Sequence, residues 1–249
     1  MTFSIIGYCP DTGAFGGAIS TSNLAVGSRC LRLAHGRGAF LSQHRTDPRL
    51  GDRGLAALKD GATAGEVVEA VVAGAANIGW RQLAALDRHG HWAAFHGENI
   101  YSVYNHSAGI NCLALGNILA NDQVTVAMRD GFVAASSEPL AERLMRALEA
   151  GREAGGEIHL PLLSAALRVT DNDDLDRCDL RVDFADDPMG ALRKIKDRFD
   201  QSDVSFRQLT LDPGSVPVNP EQREKSIARI SELGWQERMP VSQKVITGD

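Results

Sequence analysis

The chemistry this chain could do starts with Thr2, at the head of the stretch TFSIIGYCPDTGAFGGAISTSNLAVG that runs from Thr2 to Gly27. With Met1 removed, Thr2 would carry a free α-amine beside its own hydroxyl. That pair is the minimal equipment of an N-terminal threonine nucleophile, in which the amine takes the hydroxyl proton as the oxygen attacks a carbonyl. A small second residue such as Thr permits removal of the methionine. The plainer reading is that Thr2 only opens an edge strand. A second polar group, Ser20, Thr21, Ser22 and Asn23, closes the same stretch. It lies beside Thr2 if the stretch folds back on itself.

Other candidates follow the ends of apolar runs, where loops carry functional side chains. Ser42, Gln43, His44 and Arg45 leave one such run. His44 could act as acid, base or substrate ligand. The planar, permanently charged fork of Arg45 suits a carboxylate; the alternative is an ion pair with Asp47 on a solvated loop. Asn117 could donate to an oxyanion, or simply occupy the turn before a helix. Arg181, between Asp179 and Asp183, reads as part of an ion-paired strand. His89, His91, His96 and His106 are close in sequence, but a metal needs convergence in space and a supporting shell. The turn His89-Gly90-His91 directs its ends to solvent, so no metal is expected. The glycines form no phosphate-binding pattern, and no cofactor is implied.

The elements that must hold these residues read as follows. Residues 2–9 and 15–21 alternate imperfectly and flank the turn Pro10-Asp11-Thr12-Gly13, which predicts a hairpin. The bare positions Gly16 and Gly17 suggest close approach of another backbone or a ligand. Residues 28–43 read as two short strands around His35-Gly36-Arg37-Gly38. A helix over 51–59 and a second one capped by Thr63 come next. Strands over 81–87 and 92–95, around a glycine turn, then one strand over 107–115 broken by Gly116-Asn117, complete a second block. Asn121 or Asp122 starts a helix, and Leu140, Leu144, Ala147 and Leu148 give another over 139–152 its apolar stripe. Strands over 162–169 and 179–184 precede a helix from Pro188. Blocks of strands separated by helix pairs predict an α+β protein with helix layers outside packed sheets.

Composition bounds the rest. At 249 residues, 43% hydrophobic and 23% charged, the chain is long enough for one large domain with an appendage. The net charge of −6 argues against nucleic acid or an anionic membrane as a partner. No apolar run reaches membrane-spanning length, and no signal-peptide pattern opens the chain. The cysteines, Cys9, Cys30, Cys112 and Cys178, are widely spaced. Neither a disulfide framework nor a zinc site is expected, and a cytoplasmic location fits. Residues 1–201 read as the main domain and 202–249 as a proline-punctuated extension. Its one amphipathic helix, started by Asn219-Pro220-Glu221, needs an apolar surface to cover and so predicts a homo-oligomer.

Several fragments in order carry a family likeness: MTFSIIGYCPDTGAFGGAIS, LAVGS, GRGAFLSQ followed by RTDPRLGDRGL, GNILA, PLAERLMRALEAGREAGG and DLRVD. Together they resemble the family catalogued as domain of unknown function 1028, over roughly Thr2 to Asp200. The resemblance implies an Ntn-hydrolase-like fold, the four-layer αββα sandwich, and strengthens the nucleophile reading of Thr2. The chain departs from the family at Glu157-Ile158-His159-Leu160-Pro161, where arginines and a glutamine are replaced, and at His44-Arg45. If these line a pocket, its ligand differs from that of typical members.

The expectation is an Ntn-type amidohydrolase acting on a small polar amide, or a related C–N bond, with an adjacent carboxylate. Thr2 attacks, Asn117 and a backbone N–H hold the oxyanion, and Thr21, Ser42, Gln43, His44 and Arg45 position the substrate. The alternative is a non-catalytic small-molecule-binding or scaffold protein on the same fold, since fold does not dictate chemistry. The lack of an obvious lysine near the first hairpin favours that alternative.

Overall fold

The computed structural model describes residues 2–202 and 206–235. The chain divides into two compact units, Met1–Ser202 and Asp203–Asp249. In the first unit β1 (Thr2–Cys9) and β2 (Ala14–Thr21) form the expected hairpin, with Gly13 at φ 69° in its turn. A short helix α1 (Val26–Cys30) leads into β3 (Leu31–Ala34) and β4 (Gly38–Gln43). Then come α2 (Pro48–Lys59), α3 (Ala64–Ala73), β5 (Gln82–Asp87), β6 (Trp92–His96), β7 (Tyr104–Gly109) and β8 (Cys112–Asn117). Helices α4 (Gln123–Ala134) and α5 (Leu140–Glu153), strands β9 (Ser164–Thr170) and β10 (Asp176–Val182), and α6 (Pro188–Asp200) complete it.

All strand pairs are antiparallel, in a six-stranded sheet ordered β10-β9-β2-β1-β8-β7 and a four-stranded sheet ordered β3-β4-β5-β6. Strand β1 therefore lies inside its sheet, flanked by β2 and β8, and not at an edge. Its two faces are both covered, which explains the blurred alternation of its sequence. Phe3 and Ile5 pack with Met128, Phe132, Leu144 and Leu148 of the helices on one side. Ile6, with Phe15 and Ile19 of β2, packs on the other side against Leu31, Leu33, Leu41 and Leu86 of the four-stranded sheet. The far face of that sheet, Phe40, Leu83 and Ala85, is closed by Leu50, Leu58, Val67 and Val71 of α2 and α3.

Gly16 and Gly17 make this stacking possible. A Cβ at Gly16 would strike Leu144, and one at Gly17 would strike Leu31. The close approach that bare strand positions imply is thus made by side chains of the covering layers, not by a ligand. Each buried leucine so admitted stabilises by about 1.5–3 kcal/mol. The helix starts follow the sequence signals. Asp47 caps α2 ahead of Pro48, and its bond to the Arg49 guanidinium holds its carboxyl down at about 2. Thr63 and Glu66 form a capping box on α3.

Three expectations are corrected. Ser28–Cys30 are helical rather than extended. The single strand expected over 107–115 is a hairpin, β7 and β8, turned at Ile110-Asn111 with Asn111 at φ 59°. Gly116 and Asn117 do not break the strand but belong to it, paired with Asn105 and Tyr104 on one side and with Phe3 and Thr2 on the other.

At the Thr2 end the two sheets meet through polar groups. The Gln82 side chain is the hub: its Oε1 accepts from Gln43 Nε2 at 2.7 Å and from Asn117 Nδ2 at 2.8 Å. Its Nε2 donates to the Gly116 carbonyl at 2.7 Å and to His96 Nδ1 at 2.9 Å. Gln43 Oε1 in turn accepts from Ser4 Oγ at 2.9 Å. Because an amide nitrogen can only donate, His96 Nδ1 must accept, which places its proton on Nε2, facing His106 Nδ1 at 2.9 Å.

In the second unit α7 (Phe206–Leu211) and α8 (Pro220–Glu232) are the α-helices among the described residues, with a 3-10 turn at Pro213–Ser215 between them. The Asn219 side chain caps α8 as its sequence suggests, and Ile227 and Leu233 are exposed. Among the described residues of both units, no helix is long and apolar enough to cross a membrane.

The inter-sheet belt has a pH signature. Burial, then the neighbouring His106, lower the His96 pKa from 6.5 to about 4. A folded-state value below the unfolded one means protons favour unfolding. The stability that depends on neutral His96 is therefore complete above about pH 6.5 and drains away as the pH falls towards about 4. Urea unfolding across this window should show the wild type losing stability steeply and His96→Gln less steeply. Equal slopes would remove His96 as the cause.

Candidate functional site

Strand β1 begins where the ends of β2 and β4 and the residue after β8 come together. A cleft of about 240 Å³ opens there, walled by Thr2, Thr21, Asn23, Arg29, Cys30, His44, Arg45, Thr46, Tyr101 and Ile118. Thr2 is only 5% exposed. Its Oγ1 lies 3.5 Å from Thr21 Oγ1, placed there by the hairpin register that pairs Phe3 with Ser20. Of the residues singled out by sequence, the fold brings Thr2, Thr21, His44 and Arg45 to this one cleft.

The other three sit behind it. Ser42 Oγ donates to the Asp47 carbonyl at 3.2 Å, fixing the loop after β4. Gln43 and Asn117 are fully buried members of the Gln82 network, so neither forms part of the cleft wall. The Asn117 amide nitrogen, expected to face an oxyanion, is engaged by Gln82.

His44 is anchored from below. Its Nδ1 lies 2.8 Å from the Trp80 carbonyl, which can only accept, so the proton sits on Nδ1 and Nε2 keeps its lone pair. Burial lowers the His44 pKa, the bond to Trp80 opposes this, and the positive chain terminus, Arg45 and Arg81 add to the lowering. At neutral pH the ring is an uncharged acceptor. The Arg45 guanidinium lies over the Trp80 ring, 3.9 Å from its centroid. The ion pair with Asp47 does not form, because Asp47 takes the Arg49 side chain at 2.7 and 2.9 Å. Among the described residues no carboxylate pairs with Arg45, which brings its positive charge to the cleft. Arg29 serves its rim, donating to the carbonyls of Leu24 and Ala25.

Cys30 would be a rival nucleophile on the same wall. It is buried, its Sγ is 3.3 Å from Thr46 Oγ1, and burial raises its pKa, so the reactive thiolate is suppressed. All four cysteines are free thiols. Among the described residues no group of three His, Cys, Asp or Glu could hold a metal ion.

The backbone marks the same place. Seven described residues other than glycine have positive φ. Four of them, His44, Asn77, Asn111 and Asp174, are of types that adopt this region readily. The other three are Ala25, Arg45 and Ile118, and all of them, like His44, lie on the cleft or on the loop that bounds it. For a β-branched Ile118 such a conformation costs about 1–3 kcal/mol, a cost that persists where structure holds a site in shape.

Sequence reasoning missed Arg29, Tyr101, Trp80 and Gln82, and marked Glu157 only as part of a departure from the family pattern. Trp80 beside Arg81 after Asn77-Ile78-Gly79 carried a usable signal, an aromatic in a turn-rich stretch. A polar residue opening a strand, like Gln82, carries none.

The chain matches the family described as "Family of unknown function (DUF1028)" over residues 2–192. It is similar to the crystal structure of protein SPO2555 from Silicibacter pomeroyi, also of that family, at 35% identity and a TM-score of 0.75. That match covers 81% of this chain and 87% of the other. No curated protein matches it. On this extent of match, the chain belongs to the DUF1028 family, whose function is unknown.

Proposed function

We propose that the protein is an N-terminal-nucleophile amidohydrolase of the αββα type, acting on a small amide that carries a carboxylate. The observation that carries this reading is the place of Thr2: the first residue of an interior strand, its hydroxyl beside that of Thr21, on the wall of a polar cleft. The order of the three cores, helices on sheet, sheet on sheet, sheet on helices, supports the layered class of fold. The reading requires that the Thr2 α-amine be free, whether through loss of Met1 or cleavage of a longer precursor.

In the reaction the amine takes the Thr2 hydroxyl proton as Oγ1 attacks the amide carbon. The tetrahedral adduct collapses to an ester on Thr2, and the amine nitrogen of the substrate leaves with that proton. Water, activated by the same amine, then hydrolyses the ester. A backbone N–H at the rim serves the oxyanion, since the Asn117 amide nitrogen already bonds Gln82. Arg45 takes the substrate carboxylate, and neutral His44 accepts a hydrogen bond through Nε2.

One observation favours the non-catalytic alternative: among the described residues the cleft wall contains no lysine to depress or relay the amine's charge. A carboxylate-bearing β-lactone separates the readings. If Thr2 is the nucleophile, ordinary expressed protein lacks Met1 and gains the full mass of the lactone at Thr2, and Thr2→Ala gains nothing. A retained methionine, or labelling that survives Thr2→Ala, would count for the binding protein.

Arg45 gives a second test. Against a panel of N-acyl amino acids, Arg45→Met should raise KM about ten- to a hundred-fold, as for loss of a charged hydrogen bond of roughly 1.5–3 kcal/mol. The matching uncharged amides should be unaffected. Equal effects on both sets would take the carboxylate out of the substrate.

A further inference from the structure

One buried carboxylate near the start of β1 has no task in the mechanism above. Strand β1 runs between β2 and β8, with Thr2 opposite Asn117. Beyond Thr2, the flanking chains continue as Ser22 on one side and as Ile118 and Leu119 on the other. Glu157 spans this gap. It forms an isolated antiparallel bridge with Leu119, and the next residue, Ile158, donates its N–H to the Ile118 carbonyl at 3.1 Å. The donors beside its carboxylate are the hydroxyl and backbone N–H of Ser22. The side chain therefore lies across the slot through which the chain enters β1.

Glu157 is 1% exposed, and neither of its oxygens completes a well-formed hydrogen bond. A carboxylate so enclosed is costly unless a positive group meets it. Burial pushes its pKa up, while Ser22 and the positive chain terminus work against that rise. Among the described residues no carboxylate lines the cleft itself, whose charged side chains are Arg29 and Arg45, beside the titratable His44, Cys30 and Tyr101. With Thr2 as the first residue, its α-amine would add a positive charge at the corner where Glu157 is buried.

We propose that Glu157 is the partner of the Thr2 α-amine, a positioning residue that orients its lone pair towards Oγ1 and stabilises the ammonium. The inference rests on the Thr2 reaction proposed above. When Oγ1 attacks, the amine gains the hydroxyl proton, and the resulting ammonium donates a hydrogen bond to the Glu157 carboxylate. On collapse the ammonium passes the proton to the leaving nitrogen. Glu157 neither gains nor loses a proton over the cycle. It offsets the burial that would otherwise drive the amine's pKa down.

The test uses the full chain released from an N-terminal fusion cut directly before Thr2, so that Thr2 is first whatever ordinary expression yields. Its amine is tagged by reductive methylation with 13C-formaldehyde and titrated by NMR. Glu157→Gln should lower the amine's pKa by about one unit or more, the effect of losing an adjacent opposite charge. Glu157→Asp should lie between it and the wild type. A merely structural glutamate would not move this value, so an amine pKa equal in all three proteins overturns the proposal. If Glu157→Gln does not fold, the comparison of wild type with Glu157→Asp decides, and no displacement overturns it. Retained Met1 or absent lactone labelling in ordinarily expressed protein would sink the Thr2 reaction without altering this titration, so the two failures are told apart.

Discussion

The site depends on one amide. Gln82 makes four hydrogen bonds, two within its own sheet to Gln43 and His96 and two across to Gly116 and Asn117 of the other. Between sheets that meet mostly through apolar side chains, such directional bonds resist sliding. Losing that side chain would strand Gln43, Asn117, His96 and the Gly116 carbonyl, each an unsatisfied buried group worth about 1–3 kcal/mol. The directional bonds fix the register of β4 and β5 against β1 and β8. That register decides whether His44 and Arg45, at the end of β4, arrive beside Thr2 or a residue away from it. A one-residue slip would turn each of these strands over.

The cleft's shape is held in the same way, by support from below. His44 and Arg45 both adopt left-handed conformations, and both are tied to Trp80, one through its carbonyl and one through its ring. Ser42 pins the following loop to the Asp47 backbone. The residues expected at the site but found behind it are therefore its scaffolding. Their polarity is explained by sheet-to-sheet bonding, not by contact with a ligand.

What could be read from the sequence was local. Pro10-Asp11-Thr12-Gly13 specifies its turn and Thr63 with Glu66 its cap, because backbone conformation and side-chain bonding there depend on near neighbours. The hairpin at Ile110-Asn111 was hidden because neither central residue of its turn is glycine and residues 107–115 read as one run of small and apolar residues. Gly116-Asn117 looked like a break, but tertiary pairing on both sides overrode their low strand propensity. Thr2, Thr21, His44 and Arg45 could be named because all leave the ends of strands. Gln82 could not, and Glu157 stood out only as part of a departure from the family pattern. A buried polar side chain looks like a surface one until its partners, 35 residues away for Gln82 and Asn117, are known.

The interior position of β1 bears on how this protein should be handled. Most chains start at a surface strand or a loose arm, where added residues trail harmlessly into solvent. Here Thr2 opens a strand held between β2 and β8 on the wall of the cleft, so residues added ahead of it would start inside the fold and beside the cleft. A purification tag at that end would behave as a tethered plug, filling the space a ligand needs. Screens for ligands or turnover on such material would report an occluded protein. The affinity handle belongs at the other end of the chain.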